Sequence, residues 1–341
     1  MAKPHLLLLY TGGTIGMVNT DQGYQPQPGF LEDFLKQAPA LTHADLPTYD
    51  TQTFDPLIDS ANMQPKYWQQ IAATIAEQYA QYDGFVILHG TDTMAYTASA
   101  LSFLLEHLSK PVILTGAQIP LCQLRTDGTK NITNSLLIAA QYAIPEVCIY
   151  FNNHLLRGNR TTKTHANALH AFDSPNYPAL GEVGIDITIK HHLLKPLSQN
   201  TLAFSHSTAA PTIASVQIFP GMQATIIDAL VEKGLTGLVL QTYGTGNAPA
   251  SDHTFLAALQ RAQDAGVIMV NCSQCVQGHV DMRGYVTGHA LADVGVISGQ
   301  DMTQEAALTK LAYLFGQELD REVIKQKITE NMRGELMGLA P

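Results

Sequence analysis

Two threonine-bearing turns, each placed straight after an apolar run, hold the residues best suited to chemistry in the first hundred positions. One follows Leu6-Leu7-Leu8-Leu9-Tyr10 as Thr11-Gly12-Gly13-Thr14-Ile15-Gly16-Met17, and the other follows Phe85-Val86-Ile87-Leu88 as His89-Gly90-Thr91-Asp92-Thr93. A threonine hydroxyl is a weak nucleophile at neutral pH, so it needs a proton acceptor and a pocket for a developing oxyanion. A Gly-Gly turn offers unobstructed backbone N–H donors for that pocket. The plainer reading is that Thr11 and Thr14 only cap a turn or a helix. The glycines fall as G-G-x-x-G, which is not the dinucleotide spacing, and no Lys-Ser/Thr pair follows as in a phosphate-binding P-loop.

In the second turn Thr91 and Asp92 bring a hydroxyl and a carboxylate out of one strand end, and the Thr93 hydroxyl is expected to cap the helix beyond. Taken alone, Asp92 reads as a helix-start residue favoured by the helix dipole. Lys163, within Arg157-Gly158-Asn159-Arg160-Thr161-Thr162-Lys163-Thr164, is the third candidate. Most lysines are solvated surface charges. One held near a carboxylate and a hydroxyl could instead accept or relay a proton. Two hydroxyl-bearing loops at strand ends point to one hydrolytic site.

The elements that must position these loops are alternating strands and helices. Apolar runs of strand length occur at 5–10, 84–89, 111–115, 147–151, 213–218, 236–241 and 267–271, and most lead through Gly, Thr, Asn or Asp into helix-compatible segments. The strongest helical stretches are 65–82, 93–108, 131–142, 255–265 and 303–315. That alternation predicts an α/β protein with parallel strands and covered sheet faces, whose ligands bind at the carboxyl ends of the strands. Polar, small and Pro residues without periodicity mark a connection at 191–212. The expected organisation is therefore a larger N-terminal α/β catalytic domain at 1–190, mostly a parallel sheet flanked by helices, and a smaller α/β domain at 213–341.

With 341 residues and 45% hydrophobic content, the chain is long enough for two cores. A net charge of −10, from 19 basic residues scattered among 29 acidic ones, argues against a nucleic-acid partner. No stretch approaches the roughly 20 apolar residues that span a bilayer, and Leu6–Leu9 is too brief for an export signal, so a cytoplasmic location with no membrane partner is expected. Four cysteines are too few for a disulfide framework in a chain this long. Cys272-Ser273-Gln274-Cys275 has metal or redox spacing but lacks a second ligand pair, so no metal and no cofactor are expected.

The two threonine motifs, in this order, resemble those of the bacterial-type L-asparaginases. The resemblance extends through Asp59-Ser60, Thr115-Gly116-Ala117-Gln118, Gly158-Asn159-Arg160-Thr161-Thr162-Lys163 and Tyr243-Gly244-Thr245-Gly246-Asn247-Ala248-Pro249, so it spans nearly the whole chain. With Ile15-Gly16-Met17 and Asn247-Ala248-Pro249, and without an export signal, the chain is most similar to the cytoplasmic, type I branch.

The resemblance implies hydrolysis of L-asparagine to L-aspartate and ammonia through a β-aspartyl ester on Thr14, with Tyr24 on a lid bordered by Gly23 and Gly29. It implies a second triad of Thr91, Asp92 and Lys163. Asp59, Ser60, Gly90, Thr91 and Asp92 would bind the substrate, Ser60 at its α-carboxylate and Asp92 also at its α-ammonium, while the Ala117 carbonyl faces the leaving amide. It further implies a homotetramer of two intimate dimers, with Asn247 reaching a neighbour's site, and a regulatory asparagine site for which Thr162 and Cys275 are the candidates. One departure stands out: Ala61-Asn62 follows Asp59-Ser60 where the exported enzymes tend to carry Gln next, so one polar contact to the substrate's α-groups is expected to be missing or supplied elsewhere. The competing readings are a glutaminase or an enzyme of mixed specificity, the amidase subunit of a tRNA-dependent amidotransferase, and a non-catalytic amino-acid sensor on the same fold.

Overall fold

The structure is a computed structural model and describes residues 3–206, 211–282, 284 and 286–337. The chain forms two compact units, Met1–Ser205 and His206–Pro341. Part of the connection expected from sequence, residues 207–210, lies outside the described residues. Its earlier part is fastened to the first unit. Arg157 Nη2 donates to Leu193 O at 2.7 Å, Lys195 N donates to Glu146 Oε1 at 2.8 Å, and Ala203–Phe204 pairs antiparallel with Leu105–Glu106.

In the first unit an eight-stranded sheet runs, edge to edge, through Ile187–Ile189, Gly181–Val183, His154–Arg157, Val147–Phe151, Val112–Thr115, Gly84–Leu88, His5–Tyr10 and Thr48–Thr53. The last five are mutually parallel, and the first three add antiparallel pairings at one side. Leu6 to Leu9 and Phe85 to Leu88 are all buried, as expected of strands covered on both faces. Thr48–Thr53 is the polar edge; its sequence, Thr-Tyr-Asp-Thr-Gln-Thr, has no apolar run from which to read a strand.

Strand order explains where a site can form. From His5–Tyr10 the chain passes to the edge strand Thr48–Thr53, then crosses back to Gly84–Leu88 on the other side of His5–Tyr10. The connections on either side of that reversal diverge, which leaves a crevice at the strands' carboxyl ends. The helices Phe30–Gln37 and Gly128–Gln141 share one core through Leu31, Leu35, Ile132 and Leu136, whereas helix Met94–Leu104 packs against helix Pro65–Gln78. The first crossover helix and the one after Gly84–Leu88 thus belong to different layers.

The second unit is a four-stranded parallel sheet in sequence order, Ile213–Gln217, Gly237–Thr242, Ile268–Ser273 and Val296–Ser298. Helices Thr225–Glu232 and His253–Asp264 bury Ile227, Phe255, Ala258 and Leu259 in its core. Asp252 accepts from Thr254 N and Phe255 N, and Thr303 accepts from Ala306 N, so both following helices start at side-chain caps. Lys310 and Glu335 form a fully buried pair at 2.5 Å, and Lys310 also donates to the carbonyls of Ile328 and Glu330. No helix among the described residues is long and apolar enough to cross a membrane.

Candidate active site

The turns after His5–Tyr10 and Gly84–Leu88 leave the sheet at one level, because Tyr10 lies opposite Leu88 in the parallel register. Thr11 joins them, its N–H and its hydroxyl each donating to Leu88 O at 3.0 Å. Beyond that point the two turns touch backbone to backbone. A Cβ added at Gly13 would lie 2.3 Å from Gly90 Cα, and one at Gly90 would lie 2.3 Å from Ser60 Oγ. Gly13 also sits at φ +94, a region side chains disfavour. The glycines are thus required where three segments converge: the Thr14 turn, the Thr91 turn and the short 3-10 turn Ser60–Asn62.

Thr14 opens the 3-10 turn Thr14–Gly16 and is half-buried. Its hydroxyl makes no hydrogen bond to the described residues, and the backbone N–H groups of Thr14 and Thr91 likewise have no acceptor among them. Ser60 is 3% exposed. Exposed Asp59 accepts from Ala61 N at 3.0 Å and so caps the turn that presents Ser60. Thr93 does not cap its helix as expected. Its hydroxyl donates instead to Ser60 O at 2.8 Å, and no side-chain bond caps the helix.

Thr91, Asp92 and Lys163 come together. Lys163 Nζ donates to Thr91 Oγ1 at 2.9 Å and to Asp92 Oδ1 at 2.8 Å, with Thr91 buried and Asp92 open to solvent. Lys163 reaches this position from the two-residue strand Thr162–Lys163, paired with Phe172–Asp173. The Thr91 hydroxyl in turn donates to Gln118 Oε1 at 3.2 Å, while Gln118 Nε2 donates to the carbonyls of Ala166 and Ala168. Those two acceptors fix the amide so that its oxygen must face Thr91. Ala117, 1% exposed, sits in the same turn, which Asp127 holds by accepting from Gln118 N and Ile119 N.

Gln118 belongs to a segment already singled out by sequence, yet its contact with Thr91 was not legible, since nothing in the spacing says which loops face each other. The same holds for Gln123, whose amide donates to Tyr24 Oη. Tyr24 itself is exposed, on the hairpin Met17–Thr20 and Gly23–Pro26 that follows the Thr14 turn directly. The remaining candidates make none of these contacts. Thr162 is half-buried beside Lys163 in the first unit, whereas exposed Cys275 and half-buried Asn247 belong to the second, where Asn247 pairs across a tight turn with Tyr243. Burial pushes the Cys272 thiol up to about 12.

His89 is 1% exposed, and burial pushes its imidazole down to about 4 against a smaller upward pull from its hydrogen bond to Gly90 O. It is therefore neutral at pH 7. Because the folded value lies below the ordinary one of about 6.5, the unfolded chain takes up a proton between those values and the folded chain does not. The stabilisation is complete above pH 6.5 and is lost as pH falls toward 4, by up to about 3 kcal/mol. In urea titrations at pH 7 and pH 4.5, a His89→Gln protein is expected to lose less stability on acidification than wild type; an equal loss would show that His89 is not the group responsible.

Comparison with known proteins places the whole chain. The family model described as asparaginase, N-terminal, matches residues 5–195, and that described as glutaminase/asparaginase C-terminal domain matches residues 212–327. L-asparaginase 1 of Escherichia coli is 50% identical over 336 residues, which is 98% of this chain and 99% of that protein. The crystal structure of L-asparaginase I from Vibrio cholerae superposes with a TM-score of 0.92 at 47% identity, covering 98% of this chain and all of that one. The thermostable L-asparaginase of Thermococcus kodakarensis gives a TM-score of 0.89 at 31% identity, covering 98% of this chain and all of that one.

Proposed function

The chain belongs to the asparaginase family, and from that premise we infer that it is an amidohydrolase converting L-asparagine to L-aspartate and ammonia. The observation that carries the mechanism is the backbone contact of Gly13 with Gly90, which sets the Thr14 and Thr91 turns side by side at a strand-order reversal. Thr14 Oγ attacks the side-chain carbonyl carbon. The N–H groups of Thr14 and Thr91, which have no acceptor among the described residues, serve the oxyanion. Collapse breaks the C–N bond, and the proton given up by Thr14 leaves with ammonia. Water then hydrolyses the β-aspartyl ester, with the Thr91, Lys163 and Asp92 set managing its protons; the 2.9 Å and 2.8 Å contacts of Lys163 support that assignment.

The substrate is a small zwitterion. Ser60, against Gly90, is proposed to meet its α-carboxylate, and solvent-facing Asp92 its α-ammonium. Asp59 acts by holding Ser60, and the Ala117 carbonyl faces the departing amide. Tyr24 closes over the seated substrate from its hairpin and excludes water. The homotetramer, the reach of Asn247 into a neighbour's site, the regulatory pair Thr162 and Cys275, and the cytoplasmic location rest on the family resemblance alone.

Glutamine is the substrate that tests specificity, because a pocket separates one methylene by only about 1–3 kcal/mol. Coupled ammonia release is expected to be faster with asparagine than with glutamine, by roughly tenfold or more in kcat/KM. Equal or faster turnover of glutamine would replace the asparaginase reading with a glutaminase one.

A further inference from the structure

The glycine at position 90 solves one problem and creates another. It lets Ser60 and Gly13 approach, but a glycine-flanked peptide rotates freely unless something holds it. The peptide linking Gly90 to Thr91 carries the Thr91 N–H, a donor without an acceptor among the described residues and in a buried turn. In a trans peptide the C=O and N–H point in opposite directions, so whatever fixes Gly90 O also aims Thr91 N–H.

A chain of hydrogen bonds ends on that carbonyl. Trp68 Nε1 lies 3.1 Å from Thr97 Oγ1, Thr97 Oγ1 lies 2.9 Å from His89 Nε2, and His89 Nδ1 lies 2.7 Å from Gly90 O. Its polarity is set at both ends. An indole N–H only donates and a carbonyl only accepts. A neutral imidazole facing Gly90 O must therefore carry its single proton on Nδ1, which leaves Nε2 as an acceptor for the Thr97 hydroxyl, and Trp68 occupies a lone pair of that hydroxyl. Thr97 is fully buried within helix Met94–Leu104, and Trp68 projects from helix Pro65–Gln78, so the chain is anchored on two packed helices.

We propose that His89 is a positioning residue for amide hydrolysis: held in its Nδ1–H form by Thr97 and Trp68, it pins the Gly90 carbonyl and thereby aims the Thr91 N–H at the oxyanion. It exchanges no proton with substrate. The proposal rests on the reading of Thr14 and Thr91 given above. It also explains a buried histidine in a motif whose hydroxyl and carboxylate are already accounted for.

The test separates kcat from KM, since a donor that gains strength only as negative charge develops affects the first and not the second. His89→Phe keeps an aromatic ring but loses the Nδ1–H and the Nε2 acceptor, and it is expected to lower kcat about a hundredfold with KM within about threefold. Thr97→Val should lower kcat about tenfold, and Thr97→Ser, which keeps the hydroxyl, should restore most of it. Unchanged kcat in a folded His89→Phe protein, or a fall in Thr97→Val that Thr97→Ser shares, would overturn the proposal. Thr14→Ala is measured alongside. If it is inactive while His89→Phe is not, the positioning role fails and the nucleophile stands; if it stays active, the underlying reading fails. Should His89→Phe not fold, the wild-type tautomer decides: nitrogen-15 NMR of histidine-labelled protein must show His89 protonated at Nδ1, and a proton at Nε2 would refute the assignment.

Discussion

Thr14→Ala is expected to release ammonia from L-asparagine at least about 10⁴-fold more slowly than wild type while melting at nearly the same temperature. The size of the effect follows from the proposed role: without the hydroxyl no ester would form, and what survives would be only the orientation and oxyanion stabilisation that the rest of the site provides. The small effect on stability follows from the structure. Thr14 is half-buried, its hydroxyl bonds to none of the described residues, and the 3-10 turn it opens is held by Gly16 N donating to Gly13 O. Removing a group with no partner leaves nothing unsatisfied. The measurement is coupled ammonia release together with a thermal scan, and unimpaired turnover in the folded variant would reject Thr14 as the nucleophile.

Thr91→Val should cost about 10³-fold in turnover, within the range for losing a positioned acid or base. Valine is close in shape, but it deprives Lys163 Nζ of one of its two acceptors and Gln118 Oε1 of its donor. If the triad acts chiefly on the second half of the reaction, the variant should still be acylated. Intact-mass measurement after mixing with asparagine would then show an accumulated β-aspartyl adduct. Full activity in Thr91→Val would mean that the contacts of Lys163 serve structure alone.

These two experiments also separate what each threonine does. An inactive Thr14→Ala with no adduct, beside a slow Thr91→Val that accumulates one, assigns attack to the first and ester hydrolysis to the second. The regulatory reading has a simpler signature: one asparagine bound per chain and a hyperbolic rate curve would remove Thr162 and Cys275 from consideration.

The central strands were legible because burial on both sheet faces forces unbroken apolar runs, and the runs at 5–10, 84–89 and 147–151 became strands His5–Tyr10, Gly84–Leu88 and Val147–Phe151. The edge strand Thr48–Thr53 and the hairpin Met17–Pro26 carry no such demand, since their exposed residues need not be apolar. The chemistry-capable residue types in the turns were legible too, because hydroxyl, carboxylate and ammonium groups are properties of the residues themselves. Their partners were not. Register set Tyr10 beside Leu88, strand order put the crevice between those two strands, and only then did Gly13 meet Gly90, Gln118 meet Thr91, and Thr93 turn from its helix to Ser60. A sequence states which groups a chain carries and which stretches must be buried; which loops converge depends on the order in which distant strands pair, and that is decided by packing across the whole sheet.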